Sequence, residues 1–158
     1  MALRGPQAVE LGLARLSDSR ALALISRRYV ENGLPWRWRT AAIFQHVRSE
    51  DSSVVVARDG KRIVGFALMS FDFTERDAHL LLLGVVPSHR RAGLGSRLFE
   101  WLEVIARRGG IERIRLEVRA TAEAAQHLYR ARGFETLSRL PDYYQGREDA
   151  LRLQKRLD

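Results

Sequence analysis

The stretch Leu82–Leu98 reads LLGVVPSHRRAGLGSRL, and the order of its residue types sets the architecture. Leu82, Leu83, Val85 and Val86 continue an apolar run that starts at His79, the composition of a central buried strand. Pro87 cannot donate to a sheet ladder and ends it. From Gly93, apolar Leu94, Leu98, Leu102 and Ile105 recur at helical spacing to about Arg108, where Gly109-Gly110 stops the helix. A strand therefore runs into a helix through a glycine-bearing turn. A helix entrance carries unpaired N–H groups and partial positive charge. Gly93 and Gly95 lack Cβ atoms, so the backbone can approach an anion closely. Arg90 and Arg91 add charge at the rim, which completes an anion cradle. The Gly-Lys-Ser/Thr ending of a P-loop is missing, and Leu98 stands where the dinucleotide fingerprint has its last glycine. An ordinary strand-to-helix turn has the same outline.

Working outward, Ala8–Leu13 suits a first strand, and Ser17 or Asp18 can cap a helix running to about Glu31. Asn32, Gly33 and Pro35 break it, and a second helix covers about Thr40–Val47. Ser53–Ala57 and Ile63–Phe71 form a hairpin around Asp59-Gly60. Past the central segment, Ile114, Leu116 and Val118 alternate with Arg115, Glu117 and Arg119, a strand. Thr121 can cap a helix to about Ala131, closed by Gly133. Two strands follow, about Phe134–Leu140 and Asp149–Arg156, around a turn at Gln145-Gly146. Trp101 flanks the apolar stripe of its helix and reads as core packing. The order is β-α-α-β-β-β-α-β-α-β-β. It predicts an α/β (α+β) fold with a mixed, mostly antiparallel sheet of about seven strands, about four helices and one parallel crossover.

The chain has 158 residues, the size of one domain, and 1–158 is read as one. It contains no cysteine, which removes disulfides, thiolate metal sites and a cysteine nucleophile. His46, His79, His89 and His127 show no metal-ligand spacing with carboxylates, so no metal is expected. No apolar run reaches the length of a membrane span, and MALRGPQAVE lacks the apolar stretch of a signal peptide. A cytoplasmic protein without a membrane partner is expected. The net charge is +8, carried by arginine, since Lys61 and Lys155 are the only lysines. A solvated surface, a site for an anionic ligand and a nucleic-acid surface are all compatible with that charge. The arginines are scattered and no RNA-binding aromatic motif is present, so nucleic acid is not the expected partner. The positive field also disfavours a polycationic partner.

Arg90-Arg91-Ala92-Gly93-Leu94-Gly95 resembles the Arg/Gln-x-x-Gly-x-Gly/Ala signature of GNAT acetyltransferases, with Val85-Val86-Pro87 preceding it as in that family. Leu116-Glu117-Val118-Arg119-Ala120, His127-Leu128-Tyr129 and Arg132-Gly133-Phe134 resemble the RimI branch. So do Pro35-Trp36, Asp142-Tyr143-Tyr144 and Gly146-Arg147-Glu148-Asp149-Ala150. The likeness runs from about Leu34 to near the end of the sequence. It implies a GNAT-like fold and direct acetyl transfer from acetyl-CoA to a primary amine, such as a protein N-terminal α-amine. It implies that the backbone amides of Arg91, Ala92, Gly93, Leu94, Gly95 and Ser96 hold the coenzyme A pyrophosphate beside Arg90. Leu83, Gly84 and Val85 would pair their backbone with the pantetheine arm. Glu117 would be the general base, Tyr129 the general acid, and Trp36, Tyr143 and Tyr144 would border the acceptor.

From the residues alone, Glu117 is equally a surface carboxylate between arginines, and Tyr129 a half-buried aromatic closing the core. The sequence also departs from the branch. Ala122 stands where the branch has an asparagine, one residue separates Tyr144 from Gly146, and Gly33–Arg39 is rich in arginine and tryptophan. These departures keep a small-molecule amine open as acceptor. A homodimer and a basic RNA- or ribosome-binding module stay open as well.

Overall fold

A computed structural model describes residues 8–158, so the reading of residues 1–7 lies outside the described residues. The strands are β1 (Val9–Leu13), β2 (Ser52–Asp59), β3 (Arg62–Asp72), β4 (Asp77–Val85), β5 (Arg113–Arg119), β6 (Glu135–Leu140) and β7 (Ala150–Arg156). The α-helices are α1 (Ser19–Ile25), α2 (Thr40–Arg48), α3 (Leu94–Arg108) and α4 (Glu123–Ala131). The seven strands form one sheet in the order β1-β2-β3-β4-β5-β7-β6, antiparallel except between β4 and β5. The predicted mixed sheet, its helices and its crossover are all present.

Helices cover both faces of the sheet. A Cβ on Gly65 of β3 would meet Leu98 of α3, whereas one on Gly84, paired with the next residue Phe66, would meet Ile25 and Val30. Double coverage explains why Val64–Met69 are buried without alternation. Leu98, Phe99 and Leu102 carry the inner stripe of α3 and are fully buried. Burying such side chains contributes about 1.5–3 kcal/mol each. Trp101 corrects the sequence reading. It lies one position off that stripe and is 37% exposed rather than core.

The two expected caps also differ. Asp18 turns its carboxylate back to the Arg15 N–H and the Arg58 guanidinium, and makes no side-chain cap on α1. Its long-range charge partner on β2 wins over the local cap. The Thr121 hydroxyl donates to Glu148 Oε1 at 3.4 Å, and α4 starts from Ala122 without a side-chain cap.

Candidate active site

Strands β4 and β5 pair only where Asp77–His79 lie beside Arg113–Arg115. Opposite β3, Leu68 pairs with Leu82 and Met69 with Leu80, so Leu81 is an extra residue on β4. Such a bulge bends its strand. Past His79 the two strands separate, and a cleft of about 460 Å³ opens between Leu80–Leu83 and Leu116–Arg119. The same cleft is lined by Tyr29–Asn32, by Leu34, Pro35, Arg37 and Trp38, and by Tyr143–Gln145.

One wall is built by a widened helical turn. After α1 the chain winds through Ser26–Val30 as a π-turn, closed by Glu31 N–H donating to Ser26 O at 2.7 Å. Such turns recur at functional sites. This one brings Val30 against Gly84, where a Cβ would stand only 2.9 Å from Val30 Cγ2. The buried Glu31 carboxylate then accepts from Ser26 Oγ at 2.8 Å, from Arg37 N at 2.7 Å and from Trp38 N at 3.1 Å. It folds the Gly33–Arg39 loop over the cleft. The opposite wall carries Tyr143 and Tyr144, their rings edge to face at 5.0 Å.

Arg119 joins the two walls. Its Nε donates to Glu148 Oε2 at 2.6 Å, and its Nη1 donates to Asn32 O at 2.8 Å. Glu148 in turn accepts at its backbone carbonyl from Tyr144 N at 3.0 Å.

Glu117 is 8% exposed at the cleft floor. Its Oε2 accepts from His79 Nε2 at 2.7 Å and its Oε1 from Arg152 Nη2 at 3.2 Å. Burial pushes its carboxyl up, but the hydrogen bonds and charges of His79 and Arg152 outweigh burial and leave it below the ordinary glutamate value. Tyr129 from α4 lines the cleft and packs edge to face on Phe134 at 5.7 Å. Burial, then the neighbouring Tyr144, raises its hydroxyl well above the usual tyrosine range, so it stays a proton donor. Tyr144 is pushed up to about 12, chiefly by burial.

At the far end of β4, Pro87–His89 make a short turn before the loop. Arg91 is held at φ +65° and Gly93 at φ +76°, just before α3. Alternating left- and right-handed residues aim successive N–H groups into one concavity. The first-turn N–H groups of Leu94, Gly95 and Ser96 have no acceptor inside the helix. Nothing lies within 4 Å of a Cβ built on Gly93, so no side chain packs against that position of the loop. This loop therefore fits a pyrophosphate. Arg90 does more than add charge. Its Nε donates to Val85 O at 2.9 Å and its guanidinium lies 5.6 Å from the Tyr29 ring.

Of the residues read as site candidates, Leu83, Glu117, Tyr129, Tyr143 and Tyr144 line one cleft. Gly84 and Val85 continue β4 toward the loop. Trp36 is not among the lining residues. Its Nε1 donates to Trp38 O at 3.1 Å, and Arg27 and Arg39 stack on its ring at 4.9 and 4.6 Å. His79, Arg152 and Glu31 escaped the sequence reading. His79 begins an apolar strand, the only signal the sequence offered for it.

The Acetyltransferase (GNAT) family profile matches residues 20–134, and the chain belongs to that family. It is an N-acetyltransferase. It is 31% identical over 143 residues to the N-alpha-acetyltransferase RimI of Mycobacterium tuberculosis, covering 86% of this chain and 84% of that one. It superposes with a TM-score of 0.81 on the ribosomal-protein-S18-alanine N-acetyltransferase of Escherichia coli, at 27% identity over 95% and 94% of the two chains. The yncA protein of Salmonella typhimurium, solved with its cofactor acetyl-CoA, shares the fold at a TM-score of 0.79 and 24% identity, over 96% and 95% of the chains. Among the described residues, no helix is long and apolar enough to cross a membrane.

Proposed function

We propose that the chain is one GNAT domain over 1–158 that acetylates the α-amine of a protein N-terminus, with acetyl-CoA as donor and no acyl-enzyme intermediate. The observation that carries this reading is the shared cleft. It holds a carboxylate kept below its ordinary value, Glu117, and a phenol raised above its own, Tyr129, beside the strand that leads to the anion loop. Relatives named for N-terminal acetylation support the acceptor class.

In this reading the amides of Arg91–Ser96 hold the pyrophosphate, and the backbone of Leu83, Gly84 and Val85 borders the pantetheine arm. Acetyl-CoA, when bound, supplies the thioester carbon that the amine attacks. Tyr143 and Tyr144 on one side, and Pro35, Arg37 and Trp38 on the other, border the acceptor, with Trp36 bracing the second wall. An α-ammonium has a pKa of about 7.7–8.0 and must lose a proton before it can attack. A carboxylate held as low as Glu117 is a poor final acceptor for that proton. Its contact with His79 fixes the carboxylate at the cleft floor, from which the proton is handed on. Glu117, oriented by His79 and Arg152, takes up the amine proton and passes it on to solvent, and the Tyr129 hydroxyl donates to the departing thiolate.

The test is thiol release from acetyl-CoA with peptides bearing free or blocked N-termini and with small amines. Turnover that needs a free peptide α-amine supports the reading. Turnover confined to small amines, or with no acceptor at all, overturns it.

A further inference from the structure

We propose that the acceptor groove selects N-termini followed by acidic residues over those followed by basic ones. The proposal rests on the N-terminal reading above and adds a charge preference to it.

The charged residues lining the groove are Glu31, Arg37, Glu117 and Arg119. Three of them are already matched. Glu31 is committed to Ser26 and to the amides of Arg37 and Trp38. Glu117 is paired with His79 and Arg152, and Arg119 with Glu148. Arg37 has no side-chain partner among the described residues, so its charge faces the groove unmatched.

The charge continues outward along the same wall. Arg27 and Arg39 both stack on Trp36, within 5 Å of its ring centre, and neither is in an ion pair with a described carboxylate. Cation–π contact holds these two guanidiniums near each other in spite of their like charge. Together with Arg37 they set three positive charges against the one buried carboxylate of Glu31. Residues 1–7, MALRGPQ, contain no carboxylate that could offset them. Across the groove, burial and Glu117 push the Tyr143 hydroxyl up, while the charges of Arg152 and Arg37 pull it down. The field of Arg37 thus reaches the opposite wall. A peptide whose amine sits at Glu117 and whose chain leaves between Trp38 and Tyr143 passes this cationic wall. Carboxylates on that chain are attracted and arginines repelled.

The test uses three peptides with the same N-terminal residue, followed by aspartates, by serines or by arginines. The readout is kcat/KM from thiol release at low and raised salt. The expected order is aspartate over serine over arginine. At least about tenfold should separate the extremes at low salt, and the gap should shrink as salt screens it. Arg37→Gln and Arg39→Gln should each flatten the order, and calorimetric binding of coenzyme A verifies that the variants are folded. Equal rates for the three peptides, or a preference for arginine, overturn the proposal alone. An order unchanged in both variants overturns its assignment to this wall. Failure to acetylate any peptide while small amines turn over sinks the N-terminal reading and this proposal together.

Discussion

His79 Nε2 lies 2.7 Å from Glu117 Oε2, although 38 residues separate the two. The pair forms where the parallel ladder of β4 and β5 ends, at the apex of the cleft. The sheet therefore fixes their spacing more firmly than a loop would.

Replacing either partner should cost turnover without loss of donor binding. Glu117→Gln and His79→Gln are each expected to lower kcat by about 10²–10⁴-fold, the usual worth of a positioned acid or base. Coenzyme A affinity, read by calorimetry, should stay within a few-fold of wild type. Full activity in both variants would remove the pair from the mechanism.

The same carboxylate sets a pH dependence of stability. The folded Glu117 titrates below its ordinary value, so it binds fewer protons than in the unfolded chain. Its contribution is complete above the ordinary glutamate range and is lost as pH falls through the folded value. In urea unfolding, the stability gap between wild type and Glu117→Gln should be larger at neutral pH than in acid. A gap that is constant with pH would contradict the paired carboxylate.

Tyr129→Phe should separate chemistry from packing. The ring contact with Phe134 survives the change, so the stability loss should stay within about 1 kcal/mol. Turnover should fall, because no other group on α4 lining the cleft donates a proton. The high Tyr129 value also predicts no alkaline loss of wild-type activity from this residue up to pH of about 10.

Two glycines are expected to fail for different reasons. At Gly84 an added Cβ meets Val30 Cγ2 at 2.9 Å, so Gly84→Ala should overpack the π-turn and cost about 1–3 kcal/mol. At Gly93 there is space but φ is +76°, so Gly93→Ala should cost about 1–2 kcal/mol through backbone conformation. Both positions border the proposed coenzyme A site, and the second should weaken its binding more than the first. Thermal unfolding with calorimetry distinguishes the two.

Arg119→Ala should loosen both walls of the groove, because one guanidinium holds Asn32 and Glu148. The KM for a peptide is expected to rise more than the KM for acetyl-CoA. Equal rises would mean that Arg119 does not shape the acceptor side.

Much of this was legible in the sequence because it is local. The loop at Arg90–Ser96 announces itself through glycine, arginine and the strand before it, and alternation placed Glu117 on the polar side of β5. His79 was passed over because it showed no metal-ligand spacing. Its partner is reached only through the parallel register of β4 with β5. Arg152 enters from β7, opposite Glu117, by a pairing that no local pattern reveals. The π-turn at Ser26–Val30 has the residue pattern of an ordinary helix. Its extra residue leaves no local mark, and it brings Val30 against Gly84 of β4. Trp36 was named through the Pro35-Trp36 resemblance; it lies outside the cleft lining, with Arg27 and Arg39 stacked on its ring.

The central claim is that the entrance of α3 and the end of β4 together hold coenzyme A. Isothermal titration of the purified protein with coenzyme A tests it most directly. Saturable binding is predicted in wild type, weakened in Gly93→Ala, where a non-glycine residue strains the positive-φ backbone of the concavity. No heat of binding to wild type at millimolar coenzyme A would contradict the account.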